Sequence, residues 1–212
     1  MQIFTENEQL LPGLHEYVAE ITSKLRDAGL IPSYRRLILH DIATYVINNF
    51  LENQFSNLLF VCTHNSRRSQ LCQVWGQIAA FHYDLPLVKC FSGGLETENV
   101  SEKILQTLEH AGFHVDNPET QNVYNPQHKV YYSTEFDYIS LFSKPYNDAG
   151  NPKNNFCTVM NCTPSGEKYQ QIDGSKLNVS LIYQNPKDND DKPDETQVYK
   201  QISYKVSLEM FY

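Results

Sequence analysis

An α/β fold built on a parallel sheet is what this sequence predicts, and two textures in it carry the prediction. From Asn57 onward, short apolar runs alternate with stretches of helical periodicity. That is the pattern of βαβ units, in which a helical crossover brings each strand back parallel to the one before. Ahead of them, residues 11–55 carry helical periodicity alone, so a helical hairpin is expected to precede the main domain. The chain divides on this reading into a helical extension, 1–56, and a main domain, 57–212.

In the extension, Leu14, Val18, Ile21 and Leu25 recur at three- and four-residue intervals, as do Leu37, Leu39, Ile42, Val46, Ile47 and Phe50. Pro12 and Pro32 suit the start of each helix, where a missing N–H costs nothing, and Gly29 punctuates the chain between them. A structural cap is the plain reading of this pair. Leu58 to Val61 is short and wholly apolar, as a buried strand requires, and Ser69 to Tyr83 returns to helical spacing through Leu71, Val74, Trp75, Ile78 and Ala79. Leu87 to Phe91 makes a second strand, closed by Gly93-Gly94, and a helix from Ser101 to His110 follows with Ser101 at its N-cap. Phe156 to Met160 and Val179 to Tyr183 read as two more strands, and Glu195 to Phe211 as the last helix. Between them, Asn117 to Pro152 shows only weak strand signals, at Lys129 to Tyr132 and Tyr138 to Phe142. Asn185 to Asp194, which holds Asp188, Asp190, Asp191 and Asp194, reads as a loop.

With 212 residues, 41% hydrophobic and 20% charged, the chain can bury one good core. Its formal net charge of −8 repels polyanions and argues against general nucleic-acid binding. Glu6, Glu8, Glu16 and Glu20 stand where a secretory signal would need an apolar core, and no run approaches the ~18 apolar residues of a membrane span. A cytoplasmic protein without membrane association is therefore expected, its five cysteines as thiols. No metal and no cofactor is expected.

The chemistry gathers in one loop. A strand ending at Val61 is followed by Cys62, five residues, Arg68 and a helix. Backbone N–H groups in such a strand-loop-helix turn can face a tetrahedral anion, and the helix start adds free N–H groups and the positive end of its dipole. Arg68 can offer two parallel donors to two anion oxygens, which a lysine cannot. The same field favours the thiolate of Cys62, and Ser69 can donate its hydroxyl hydrogen to that sulfur. A lone buried cysteine is usually only packing. Here the preceding strand, the following helix, Ser69 after the arginine and Asn65 within the loop all agree, and they favour a nucleophile in an anion cradle.

The segment Leu59-Phe60-Val61-Cys62-Thr63-His64-Asn65-Ser66-Arg67-Arg68-Ser69-Gln70 closely resembles the phosphate-binding loop of the low-molecular-weight protein tyrosine phosphatases and of the arsenate reductases that share their fold. With its helical extension the chain is similar to a bacterial branch of these phosphatases. The resemblance continues over Phe91-Ser92-Gly93-Gly94, Val159-Met160-Asn161-Cys162, Asn185-Pro186-Lys187 and the ending Glu209-Met210-Phe211-Tyr212. It implies a flavodoxin-like, four-stranded parallel sheet flanked by helices, and hydrolysis of a phosphate monoester through a cysteinyl-phosphate. By position, Cys62 is implied as nucleophile, Arg68 as transition-state clamp and Ser69 as thiolate partner. Thr63, His64, Asn65, Ser66, Arg67 and Arg68 are implied as the phosphate-binding loop. Asn65 is implied to hold a left-handed turn through bonds with Ser69 and Ser92. The partner implied is a phosphorylated protein, a small aryl phosphate or another oxyanion.

One position departs from the family. Its general acid is an Asp directly before Pro, and here that place is Asn185, which cannot release a proton. Asp188 is the candidate substitute, although a solvated acidic turn is the plainer reading of it. His64 reads as a backbone donor with its ring toward solvent, and Cys72 as packing. Two other functions compete with the phosphatase. An arsenate reductase would use Cys62 and Cys162 with an external thiol, because Tyr169 stands where a third relay cysteine would be. A phosphate-binding module without turnover would need the cradle alone.

Overall fold

The computed structural model describes residues 9–27, 29–116, 124–135, 137–163 and 171–212. Helix α1 (Pro12–Lys24) begins on Pro12 and buries Leu14, Val18 and Ile21. Tyr17 on its flank stacks on Trp75, ring centroids 5.2 Å apart, and the buried residues of the helix share one core with the sheet. Helix α2 (Ser33–Leu51) starts one residue after Pro32 and buries Arg35, Leu39, Ile42, Tyr45 and Asn49. Three apolar residues that contribute to its periodicity, Leu37, Ile47 and Phe50, are instead 70%, 56% and 53% exposed. The helix is apolar on both sides, so periodicity alone does not tell its inner face from its outer one.

Strand β1 (Ser56–Cys62) leads through α3 (Arg68–His82) to β2 (Val88–Gly94), and α4 (Glu102–His110) follows. Ser101 does occupy the N-cap of α4, but its side chain makes no capping bond; its N–H donates to the Ser66 carbonyl instead. The two weak strand signals correspond to β4 (His128–Tyr131) and β5 (Tyr138–Leu141), which form a second, antiparallel sheet with β3 (His114–Asp116), a strand that the sequence reading does not anticipate. Then come β6 (Phe156–Met160), β7 (Ser175–Ser180), a short 3-10 turn at Pro186–Asn189 and α5 (Glu195–Phe211). The strand expected at Val179–Tyr183 lies earlier, at Ser175–Ser180. The buried Leu181 and Tyr183 that suggest it belong to the irregular segment after that strand.

The main sheet has the order β2-β1-β6-β7, and all its pairings are parallel. It is the expected four-stranded parallel sheet flanked by helices. Alternate residues of the strands serve two cores. Leu58, Phe60, Cys157 and Val159 join the larger cluster with buried residues of all five helices, while Leu59, Val61 and Phe156 join Phe91, Leu95, Tyr146, Met160 and Ile172. From β1 the chain passes to β2 on one side, and the later strands add on the other. Between β1 and β6 the strand order therefore reverses, and the carboxyl ends of the strands there open a crevice suited to a ligand. Cys62 is the last residue of β1.

Candidate active site

The loop after β1 is fixed from outside by its carbonyls. Those of Cys62, Thr63, His64 and Ser66 accept from the N–H groups of Leu95, Glu96, Glu98 and Ser101 at 3.1, 2.7, 3.1 and 3.0 Å. The Asn65 carbonyl accepts from Gln70 Nε2 at 2.8 Å, and Ser143 Oγ adds a second bond to the His64 carbonyl at 3.0 Å. In a trans peptide the next N–H points opposite to the carbonyl, so these bonds turn the N–H groups of Thr63 to Arg67 into the concave side of the loop. Among the described residues, none of the N–H groups of His64 to Arg67 donates a hydrogen bond. The first turn of α3 adds its own free donors. Gly94 lies against the outer wall, where a Cβ would stand 2.9 Å from the Asn65 nitrogen and 2.0 Å from the Glu96 carbonyl oxygen.

Cys62 Sγ lies 3.1 Å from Ser69 Oγ, and both residues are buried. Asn65 Nδ2 donates to Ser69 Oγ at 2.9 Å, so the hydroxyl hydrogen of Ser69 is left to point at the sulfur. Asn65 has φ of 48°, the left-handed region that asparagine tolerates better than most residues, and its Oδ1 accepts the Lys144 N–H at 2.9 Å. Of the two bonds that the resemblance implies for Asn65, the one to Ser69 is present and, among the described residues, the one to Ser92 is not. Ser92 acts one residue removed: its Oγ donates to Gln70 Oε1 at 3.4 Å, and Gln70 Nε2 holds the carbonyls of Asn65 and Phe142. Gln70 is the support that sequence reasoning misses. Its signal is faint: Gln70, Gln73 and Gln77 recur within the otherwise apolar periodicity of α3, and only the structure shows that Gln70 is wholly buried.

The two arginines part company. Arg68 Nη1 donates to the Tyr183 carbonyl at 3.3 Å, while its Nε is buried without a hydrogen-bond partner among the described residues. Arg67 turns away from the cradle. Its Nε donates to the Tyr199 hydroxyl at 2.9 Å, and its Nη2 meets Asp190 Oδ2 at 3.2 Å. Of Arg67, only the backbone N–H is available to an anion in the loop. His64 extends its ring outward, Nε2 standing 3.4 Å from Glu96 and 3.8 Å from Glu98.

The acid side of the site is equally uneven. Asn185 precedes the Pro186–Asn189 turn, and its carbonyl accepts the Asp188 N–H at 3.3 Å; the Asp188 side chain is exposed. Asp190 is bound by Tyr199 at 2.7 Å, by Arg67 and by Lys103 Nζ at 3.4 Å. Burial works against its charge, but the Tyr199 hydrogen bond and the two cations outweigh it and hold the carboxyl below its ordinary value. Asp190 therefore stays ionised and pins the loop to α5, which leaves no proton for a leaving group.

Of the other cysteines, Cys162 is buried beside the cradle and accepts a bond from Thr63 Oγ1 at 3.4 Å. Burial pushes the thiols of Cys72, Cys90 and Cys157 up, which suits packing and no chemistry. Tyr169 lies outside the described residues.

No family model and no curated protein matches the chain. Among solved structures, an arsenate reductase in the phosphate-binding state is 13% identical with a TM-score of 0.49, over 74% of this chain and 94% of that one. A low-molecular-weight phosphotyrosine phosphatase from Vibrio cholerae O395 is 12% identical with a TM-score of 0.41, over 73% of this chain and 92% of its own. A thioredoxin-dependent arsenate reductase from Corynebacterium glutamicum is 16% identical with a TM-score of 0.40, over 91% and 81%. These are the two groups whose loop the sequence resembles. At such identities and scores they decide nothing about chemistry, which the loop's own geometry has to carry.

Proposed function

We propose that the chain is a cysteine-dependent phosphatase acting on phosphotyrosine or other aryl phosphate monoesters. What supports the reading is three features that one strand-loop-helix turn carries: the sulfur of Cys62 beside the Ser69 hydroxyl and, among the described residues, a row of undonated backbone N–H groups and the buried, unpartnered Nε of Arg68. Buried donors without acceptors are rare in folded chains, and a phosphate dianion would satisfy several at once. In the reaction, the Cys62 thiolate attacks phosphorus, a P–S bond forms and the ester P–O bond breaks. Water then displaces the sulfur to give inorganic phosphate. Arg68 and the loop N–H groups hold the equatorial oxygens, on which charge gathers, and the Ser69 hydroxyl stabilises the sulfur as nucleophile and as leaving group. Asn185 at the acid position leaves the first step weakly assisted, so leaving groups that depart without a proton are the favoured substrates.

A second reading, arsenate reduction, has one observation of its own, the Cys162 sulfur against Thr63 of the cradle. There Cys62 would bind arsenate, Cys162 would attack Cys62 to release arsenite, and an external thiol would reduce the resulting disulfide. A binding module without turnover is the third reading. One experiment separates them: wild type, Cys62→Ser and Arg68→Lys assayed for phosphate release from p-nitrophenyl phosphate, for thiol-dependent arsenite formation, and for phosphate or vanadate binding. The phosphatase reading expects phosphate release by wild type, its loss in both variants and binding retained by Cys62→Ser. Arsenite formation without phosphate release moves the function to the reductase, and binding without either product moves it to the module.

A further inference from the structure

A buried polar assembly links the N-terminal extension to the arginine of the cradle. Arg35 of α2 is 4% exposed and Glu209 of α5 3%. They form a two-pronged pair, Arg35 Nε donating to Glu209 Oε1 and Nη2 to Oε2, the latter at 2.7 Å. Arg35 Nη1 donates to the Ile182 carbonyl at 2.9 Å, and its guanidinium lies 5.0 Å from the centroid of the Tyr183 ring. The Tyr183 hydroxyl donates to Glu209 Oε2 at 2.6 Å. The carbonyl of the same Tyr183 is the acceptor for Arg68 Nη1.

Stability alone explains this assembly poorly. A buried ion pair recovers its desolvation cost only with good geometry, and apolar residues of similar volume often hold two helices as well or better. What apolar residues cannot do is fix a carbonyl. Residues 181–185 have no regular secondary structure, and they lie past the end of the edge strand β7. On the sheet side, bonds from Leu181 N–H to the Met160 carbonyl at 2.9 Å, from Tyr183 N–H to the Asn161 carbonyl at 3.2 Å and from Asn161 Nδ2 to the Leu181 carbonyl at 3.3 Å hold residues 181 and 183. On the other side Arg35 grips the Ile182 carbonyl and the Tyr183 ring. Among the described residues, the Tyr183 carbonyl is where the Arg68 guanidinium is tethered, so the place of that guanidinium follows from how residues 182 and 183 are held.

We propose that Arg35, Glu209 and Tyr183 are positioning residues for Arg68, which makes helix α2 a working part of the anion site. The proposal rests on the anion-binding role given to Arg68 above. A guanidinium displaced by a fraction of an ångström still carries its charge but loses the paired geometry that strengthens in the transition state. The loss should therefore fall on kcat more than on KM.

The test takes Arg35→Lys, Tyr183→Phe and the double change Arg35→Met/Glu209→Leu, each also combined with Arg68→Lys. For every protein one measures the melting temperature, kcat and KM for p-nitrophenyl phosphate, and the affinity for inorganic phosphate. Tyr183→Phe removes only a hydroxyl, and the double change removes both charges together, so folded protein is available whatever Arg35→Lys does. The expected result is a fall in kcat on the order of 10²-fold in Arg35→Lys and in the double variant, and a smaller fall in the same direction in Tyr183→Phe. Weaker phosphate binding should accompany each. In the Arg68→Lys background the same changes should cost less than about two-fold, because residues that act through one group are not additive. Full additivity with Arg68→Lys overturns the proposal, as does a folded double variant with wild-type kcat and phosphate affinity. A wild type that binds phosphate but turns nothing over defeats the phosphatase reading alone, and the phosphate affinities then decide the positioning role. A wild type that does not bind phosphate overturns both.

Discussion

Replacing Asn65 with alanine should cost both the stability of the chain and the reactivity of Cys62, from separable sources. Asn65 is 0% exposed and its φ is 48°, where an L-residue is strained by about 1–2 kcal/mol and alanine more than asparagine. Its Oδ1 is the partner of the Lys144 N–H, at a residue 6% exposed, so its removal leaves a buried donor unpaired at about 1–3 kcal/mol. The lost bond to Ser69 adds about 0.5–1.5 kcal/mol. Together these give about 2.5–6.5 kcal/mol, and for a chain of this size a fall in melting temperature on the order of 10 °C. Asn65→Gly relieves only the strain and should recover about 1–2 kcal/mol of the loss. The reactivity term has another origin. Without the Asn65 amide, the Ser69 hydroxyl can turn away from Cys62, so the sulfur loses its donor in alanine and glycine variants alike. The assay pairs thermal unfolding with the rate of Cys62 alkylation by iodoacetate at neutral pH, which should be slowed in both variants. An Asn65→Ala protein that melts within about 2 °C of wild type and alkylates at the same rate would refute this account of the loop.

Three more outcomes are expected. Wild type should hydrolyse p-nitrophenyl phosphate far better than phosphotyrosine, and Asn185→Asp should narrow that gap by up to about 10²–10⁴-fold as the leaving oxygen gains a proton donor. A flat leaving-group dependence in wild type that Asp188→Asn abolishes would make Asp188 the acid instead. Cys162→Ser should keep phosphatase activity within a few-fold of wild type, and a full loss would bring the sulfur beside Thr63 into the chemistry. Asp190 titrates below its ordinary value of 3.8 in the folded chain, so its contribution to stability is complete above that value and is lost as pH falls through the folded one. The gap in melting temperature between wild type and Asp190→Asn should therefore be widest near neutral pH and close below about pH 4; a gap that is constant with pH would contradict the pinning role.

The elements legible in the sequence are those whose local pattern and tertiary role agree. The wholly apolar Leu58–Val61, the helix after Arg68 and the last helix stand where periodicity puts them, and so does the loop that joins the first two. The second sheet is faint because its strands are only three or four residues long and alternate buried with exposed positions. Strand β7 is displaced for a related reason. It is a half-exposed edge strand, whereas the apolar Leu181 and Tyr183 beyond it are buried in the larger core cluster together with residues of α2 and α5, although they lie outside the strand. Within the site, Cys62, Ser69, Asn65 and Arg68 are readable because eight consecutive residues fix their geometry. The roles of Tyr183, Glu209 and Arg35 are not, since 174 residues separate the two charges of the buried pair and nothing near either announces the other. Arg67 is the opposite case: adjacent to the loop in sequence, it is drawn away by Asp190 and Tyr199 from a loop and a helix more than a hundred residues later.

The central claim is that phosphorus passes through Cys62. Wild-type protein mixed with p-nitrophenyl phosphate, quenched in acid within a turnover and digested for mass spectrometry should carry one phosphoryl group on the peptide containing Cys62, and Cys62→Ser should carry none. Release of nitrophenolate by the wild type with no phosphoryl group on that peptide, or with the group on any other residue, would contradict the claim.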